Sequence, residues 1–231
     1  MSRLRDERGM TLMEMLVAMV IGLLVCLAVF SLVDFTMRRY GDISGRVDAN
    51  QRGRVAMDLI TRQLRSQVCL PSGTPPMFSR TGNPTDDADA TFFVDLTADP
   101  DPTVAPELHT LVYDNTAHTI VERDYTDKLP SDVNTDPAYS GTPKSKTLLT
   151  DVAAVAGTPV FTYYTFDGTQ VAAPVTGDAL GTIASVRVTF RTLPGKFNAS
   201  NPTPRGSVVF QNRVTVREVD PNVPNPQPEC D

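Results

Sequence analysis

From Met15 to Val33 the chain carries no charged residue, a run of nineteen. At about 1.5 Å of rise per residue, a helix of that length approaches the roughly 30 Å hydrocarbon core of a bilayer. In hydrocarbon each backbone polar group must find its partner within the segment, so such a run reads as a membrane-spanning helix. One carboxylate, Glu14, sits at its amino-terminal edge. Burying a carboxylate costs several kcal/mol unless something pairs with it, so Glu14 calls for a role. Ahead of the run lies a short polar leader, residues 1–9, with Arg3, Arg5 and Arg8. These arginines predict a cytoplasmic leader, with everything after Asp34 on the other side of the membrane.

A secretory signal peptide would have a shorter apolar core and a small-x-small cleavage site, and neither is present. Leu23-Leu24-Val25-Cys26 faintly resembles a lipoprotein box, but Val25 stands where a small residue is needed and the run continues past the cysteine. An ordinary signal anchor accounts for the length and the basic leader but gives Glu14 no role. A basic leader ending in Gly9, followed by Met10 and by Glu14 at the fifth position after the glycine, resembles the class III signal of type IV pilins and type II secretion pseudopilins. That resemblance implies cleavage between Gly9 and Met10 by a prepilin peptidase, N-methylation of Met10, and a role for Glu14 in assembly. Met10 departs from the usual Phe at a position the family tolerates.

No proline occurs between Met10 and Leu70, so one continuous helix of about 90 Å is expected there. Its first half is apolar all round. Its second half turns amphipathic, with Ile43, Val47, Met57, Ile60, Leu64 and Val68 near the helical period and Arg52, Arg54, Arg62 and Arg65 largely elsewhere. Gly41, Gly45 and Gly53 either mark a bend or soft joint or are simply tolerated. After Pro71 the composition changes to Pro, Gly, Thr and Asp. Strands are expected at 91–96, 108–113, 119–124, 160–166, 183–192 and 207–219. Asp167-Gly168 reads as a hairpin turn, and loops fall at 71–90, 97–107, 127–146 and 194–206. The reading divides the chain into leader 1–9, transmembrane half-helix 10–33, amphipathic half-helix 34–70 and a β-rich extracytoplasmic domain 71–231.

The segment Asn50 to Arg65 is similar to the helix of PilW-type minor pilins and J-type pseudopilins. So is the order of Leu148–Val152, Phe161–Tyr164 with Asp167-Gly168, Ile183–Val188 and Val209–Val214. The resemblance implies an α+β pilin fold, in which a long N-terminal helix packs on an antiparallel sheet.

The formal charge is −6, and one unit more negative without the leader. That balance argues against a dedicated nucleic-acid groove. Of three cysteines, Cys26 lies in the apolar run, while Cys69 and Cys230 fall on the predicted outside, where disulfides persist. A Cys69–Cys230 disulfide is expected. It would staple a proline-rich tail to the end of the helix and close a loop of about 160 residues, with an entropic contribution up to about 5 kcal/mol.

No catalytic constellation stands out. No phosphate-cradling loop, nucleophile elbow or Cys-x-x-Cys occurs. His109 and His118 lie in or beside strands with no acidic or cysteine partner at metal-ligand spacing, and read as ordinary strand histidines. Asp86, Asp87, Asp89, Asp95, Asp99 and Asp101 offer oxygen atoms to Ca²⁺ but fit no established loop, so a solvated acidic segment is the better reading. No metal, cofactor or enzymatic activity is expected. The sequence reads as a minor pilin or pseudopilin that helps initiate or cap a filament, with other pilins, a prepilin peptidase and a membrane platform as partners. The rival is a signal-anchored extracytoplasmic binding protein or enzyme that acts alone.

Overall fold

In the computed structural model, which describes residues 10–68, 75–79, 84–94, 106–125 and 142–216, one helix, α1, runs unbroken over Leu12–Arg65. The absence of proline permits this length, and Gly41, Gly45 and Gly53 all lie inside it. By internal contacts the chain forms two units, Met1–Ser44 and Gly45–Asp231. In the first, every described residue from Met10 to Ser44 is exposed.

The described residues of the second unit form ten strands in two antiparallel sheets. The first sheet is a meander in sequence order: β1 (Met77–Phe78), β2 (Asp89–Val94), β3 (Glu107–Asp114), β4 (Thr119–Tyr125) and β5 (Lys144–Thr150). The second sheet comprises β6 (Val152–Ala153), β7 (Phe161–Tyr164), β8 (Gln170–Val171), β9 (Ser185–Thr192) and β10 (Val208–Thr215). There β10 lines one edge of β9, while β7 and β6 share the other, and β8 pairs with β7. The α+β class is as expected, but the strands form two sheets where one was anticipated. The chain crosses between them at Asp151, whose left-handed backbone (φ 54°) separates β5 from β6.

Six expected strands are present within a few residues. The hairpin at Asp167-Gly168 joins β7 to β8, with the Thr165 N–H donating to the Thr169 carbonyl at 2.9 Å and Gly168 at φ 86°. The expected loops lose residues at three places: β1 falls inside 71–90, β2 starts at Asp89, and β5 starts at Lys144. β5 is an edge strand and mostly exposed, so its sequence KSKTLLT shows little apolar alternation. Lysines on such an edge discourage pairing with other chains.

The buried stripe of α1 differs from the one read off the large apolar residues. Ile43 and Val47 are exposed, and the stripe is Ala49, Gly53, Ala56, Met57, Ile60, Thr61 and Leu64. Small side chains in its first half let the sheet side chains come close. Met57, Ile60 and Leu64 then join Phe92, Leu111 and Ile120 of the first sheet and Phe161, Val186, Val188 and Phe190 of the second in one core. Each large apolar side chain so buried contributes about 1.5–3 kcal/mol. On the opposite face of the first sheet, Phe93, Leu108 and Tyr125 form a smaller cluster with Val68 and Phe78 packed against it.

Arg52 ties α1 to the point where the chain changes sheet. Its Nη1–H donates to the Thr150 carbonyl at 2.9 Å, its Nη2–H to the Leu193 carbonyl at 3.0 Å, and its Nε–H to Asp48 Oδ2 at 2.9 Å. Asp151 adds its own carboxylate 3.7 Å from Nη1. A planar guanidinium has the spread of donors to reach all of these at once.

Candidate functional site

Helix α1 starts with a reciprocal cap built from Thr11 and Glu14. The Thr11 N–H donates to Glu14 Oε2 at 2.9 Å, the Thr11 hydroxyl donates to the same oxygen at 3.0 Å, and the Glu14 N–H points back to Thr11 Oγ1 at 3.3 Å. With Leu12 as the first helical residue, Thr11 is the N-cap and Glu14 the third residue of the first turn, the capping-box arrangement. The sequence carries the signal for this cap, Ser or Thr followed three residues later by Glu, in Thr11-Leu12-Met13-Glu14, where the apolar run around it masks the pattern. The cap satisfies two backbone donors that have no helical partner, which matters most where water is scarce. Both side-chain bonds use Oε2, and Oε1 makes no hydrogen bond among the described residues. Glu14 is therefore held at the helix start with one carboxylate oxygen open to a further partner.

The apolar run that follows has no cover: Leu16, Leu23, Leu24, Leu27 and Phe30 are all more than half exposed. α1 is long and apolar enough to cross a membrane by length and composition. Charge returns at Asp34, which pairs with Arg38 at 2.7 Å, and Arg39 lies 5.1 Å from the Phe35 ring centre. Met10 is exposed. Cys26 is free and exposed. Gly9, Cys69 and Cys230 lie outside the described residues, so the expected cleavage bond and disulfide have no structural account.

In the second unit the acidic segment is a turn scaffold over its described part. Asp86 Oδ1 accepts the N–H groups of Ala88 and Asp89, both at 2.8 Å, and the buried Tyr163 hydroxyl donates to the Asp86 and Asp89 carbonyls at 3.0 and 2.8 Å. Asp95, Asp99 and Asp101 lie outside the described residues. His118 stacks on Phe197 with ring centres 3.3 Å apart.

His109 is not an ordinary strand histidine. It is buried, and three carboxylates surround it: Glu122 Oε1 at 3.0 Å from Nδ1, Glu107 Oε2 at 3.4 Å and Asp124 Oδ1 at 3.6 Å from Nε2. The β3–β4 register places His109 opposite Asp124 with Glu122 two residues away on the same face. The expectation of no acidic partner is wrong: Glu107 lies two residues away on the same face of β3, and Glu122 and Asp124 become adjacent through strand pairing.

Residues 4–33 match the prokaryotic N-terminal methylation motif. No curated protein matches the chain significantly. The match takes in the leader from Leu4 onward, the Gly9–Met10 bond, the Thr11–Glu14 cap and the apolar run to Val33. The chain is thus a membrane-anchored, single-pass protein with a prepilin-type N-terminal signal, the signal of type IV pilin-like proteins. The motif implies processing by a prepilin peptidase and assembly with other pilins.

Proposed function

We propose that this protein is a minor pilin or pseudopilin, a structural and non-enzymatic subunit that helps initiate or cap a type IV filament at the cytoplasmic membrane. The observation that carries this reading is the methylation motif over residues 4–33, in register with the exposed apolar start of α1. Before assembly, residues 10–33 span the inner membrane with the leader in the cytoplasm. The helix continues outside to Arg65, and the residues after it form the extracytoplasmic domain, its tail tied back by a Cys69–Cys230 disulfide. The peptidase removes residues 1–9 and methylates the amine of Met10. On a membrane platform, the helices of neighbouring pilins or pseudopilins then exclude lipid from the apolar run, and Glu14 Oε1 meets the new amine of an adjacent subunit. Such a pair also fixes axial register, since residue 10 of one chain must lie level with residue 14 of the next.

Intact mass of the membrane-extracted protein tests the processing on which this depends. The expected mass is that of residues 10–231 plus one methyl group. A chain that keeps residues 1–9 in cells with an active prepilin peptidase would instead describe a signal-anchored protein acting alone.

A further inference from the structure

The four polar side chains around His109 form a graded arrangement. Glu122 Oε1 lies 3.0 Å from Nδ1, and a carboxylate only accepts, so the imidazole places its proton on Nδ1 and donates it there. Gln63 of α1 donates its Nε2–H to the same oxygen, which fixes the carboxylate from the helix side. With Nδ1 protonated, the neutral ring presents the Nε2 lone pair to Glu107 Oε2 and Asp124 Oδ1. Two carboxylate oxygens and a lone pair repel one another unless a cation stands among them. Among the described residues Asp124 Oδ1 is buried without a hydrogen-bond partner, although Lys144 stands opposite on β5 and is exposed.

We propose that Glu107, His109 and Asp124 bind a divalent transition-metal ion such as Zn²⁺, with Glu122 orienting the imidazole behind it. Their three ligand atoms lie within 4.8 Å of one another, and the edges from Nε2 measure 3.4 and 3.6 Å. Ligands at Zn–N and Zn–O distances of about 2.0–2.2 Å in a tetrahedral site stand about 3.4 Å apart, so small side-chain movements complete the site. A carboxylate that accepts from the far nitrogen of the ligating histidine is the usual second layer of such centres. One imidazole with two carboxylates suits Zn²⁺ better than Ca²⁺, which takes six to eight oxygens. Glu107 and Asp124 are partly open to solvent, which gives the ion a way in and leaves a coordination position for water. The local field also favours a cation. Three carboxylates stand around one imidazole. The metal would join β3 to β4 and, through Glu122 and Gln63, to the end of α1.

The test uses the mature full-length chain in detergent micelles, stripped with EDTA and with free thiols alkylated, so that Cys26, Cys69 and Cys230 bind no metal. Calorimetric titration with Zn²⁺ is expected to show one saturable site per chain. Asp124→Asn and Glu107→Gln, near-isosteric and partly exposed, should keep the metal-free circular dichroism spectrum and weaken binding at least tenfold. Glu122→Gln should weaken it about 10- to 100-fold, and His118→Gln should leave it unchanged. Absence of a saturable site, or equal affinity in the wild type and the Asp124→Asn and Glu107→Gln variants, would overturn the proposal. So would a loss in His118→Gln as large as in Asp124→Asn.

Discussion

The ring of Phe210 occupies the space that a side chain on Gly53 would need. A Cβ built on Gly53 stands 2.1 Å from Phe210 Cε2 and 2.6 Å from Cζ, far inside any tolerated contact. Phe210 is itself stacked against Phe190 of the neighbouring strand, with ring centres 5.7 Å apart, so it cannot retreat freely. The glycine in mid-helix, costly by intrinsic propensity, is there to let β10 approach α1.

Gly53→Ala is therefore expected to destabilise the protein by about 1–3 kcal/mol, despite the better helix propensity of alanine. In a Phe210→Ala background the same change should become neutral or stabilising. Chemical unfolding of the four variants of this double-mutant cycle measures the coupling, and additive effects would contradict the packing account.

Arg52 is expected to resist its most conservative replacement. Arg52→Lys keeps the charge, but a single ammonium cannot span the Thr150 and Leu193 carbonyls together with Asp48. A loss of about 1–3 kcal/mol is expected on unfolding, given that hydrogen bonds from charged donors are each worth about 1.5–3 kcal/mol. Wild-type stability for Arg52→Lys would mean that charge alone matters at the crossing between sheets.

Much of the fold was legible because its signals are local. Proline absence bounded α1, and strand-like runs between turns marked six of the seven described strands longer than two residues, all but the exposed edge strand β5. Two-residue strands such as Met77–Phe78 and Val152–Ala153 have no period to read, and their existence depends on partners elsewhere. The buried face of α1 departs from the pattern of its large apolar residues, because Ala49, Gly53 and Ala56 are buried by virtue of being small. The environment of His109 was illegible for another reason. Glu122 and Asp124 lie thirteen and fifteen residues away, and only the register of β3 on β4 makes them neighbours.

Asp89 provides a pH-dependent prediction. Burial, then the nearby charge of Asp86, raises its pKa to about 6, with Arg123 pulling the other way. A carboxyl whose folded pKa exceeds its unfolded value favours the native state only while protonated. Its contribution is present at acid pH and lost as pH rises through about 6. Asp89→Asn is thus expected to stabilise the protein near pH 7, by about 1 kcal/mol because solvent screens this half-exposed group. The gain should shrink towards about pH 4. Unfolding curves at both pH values check this, and a gain independent of pH would refute it.

The proposed function gives Glu14 a second role beside its cap on α1, and one substitution separates the two. Gln can take the place of Glu in the capping box with Thr11, but it carries no charge to meet the amine of a neighbouring Met10. Glu14→Ala loses both. Breaking a buried ion pair typically costs about 3–5 kcal/mol, enough to exclude a subunit from a filament. The most direct measurement is the amount of Glu14→Gln protein in sheared filaments or isolated initiation complexes, relative to wild type at equal membrane levels and equal leader cleavage. The charge-pair account predicts that Glu14→Gln is inserted and cleaved normally yet is absent from those assemblies, as Glu14→Ala is. Incorporation of Glu14→Gln at wild-type levels would contradict it and leave Glu14 only the start of the helix to hold.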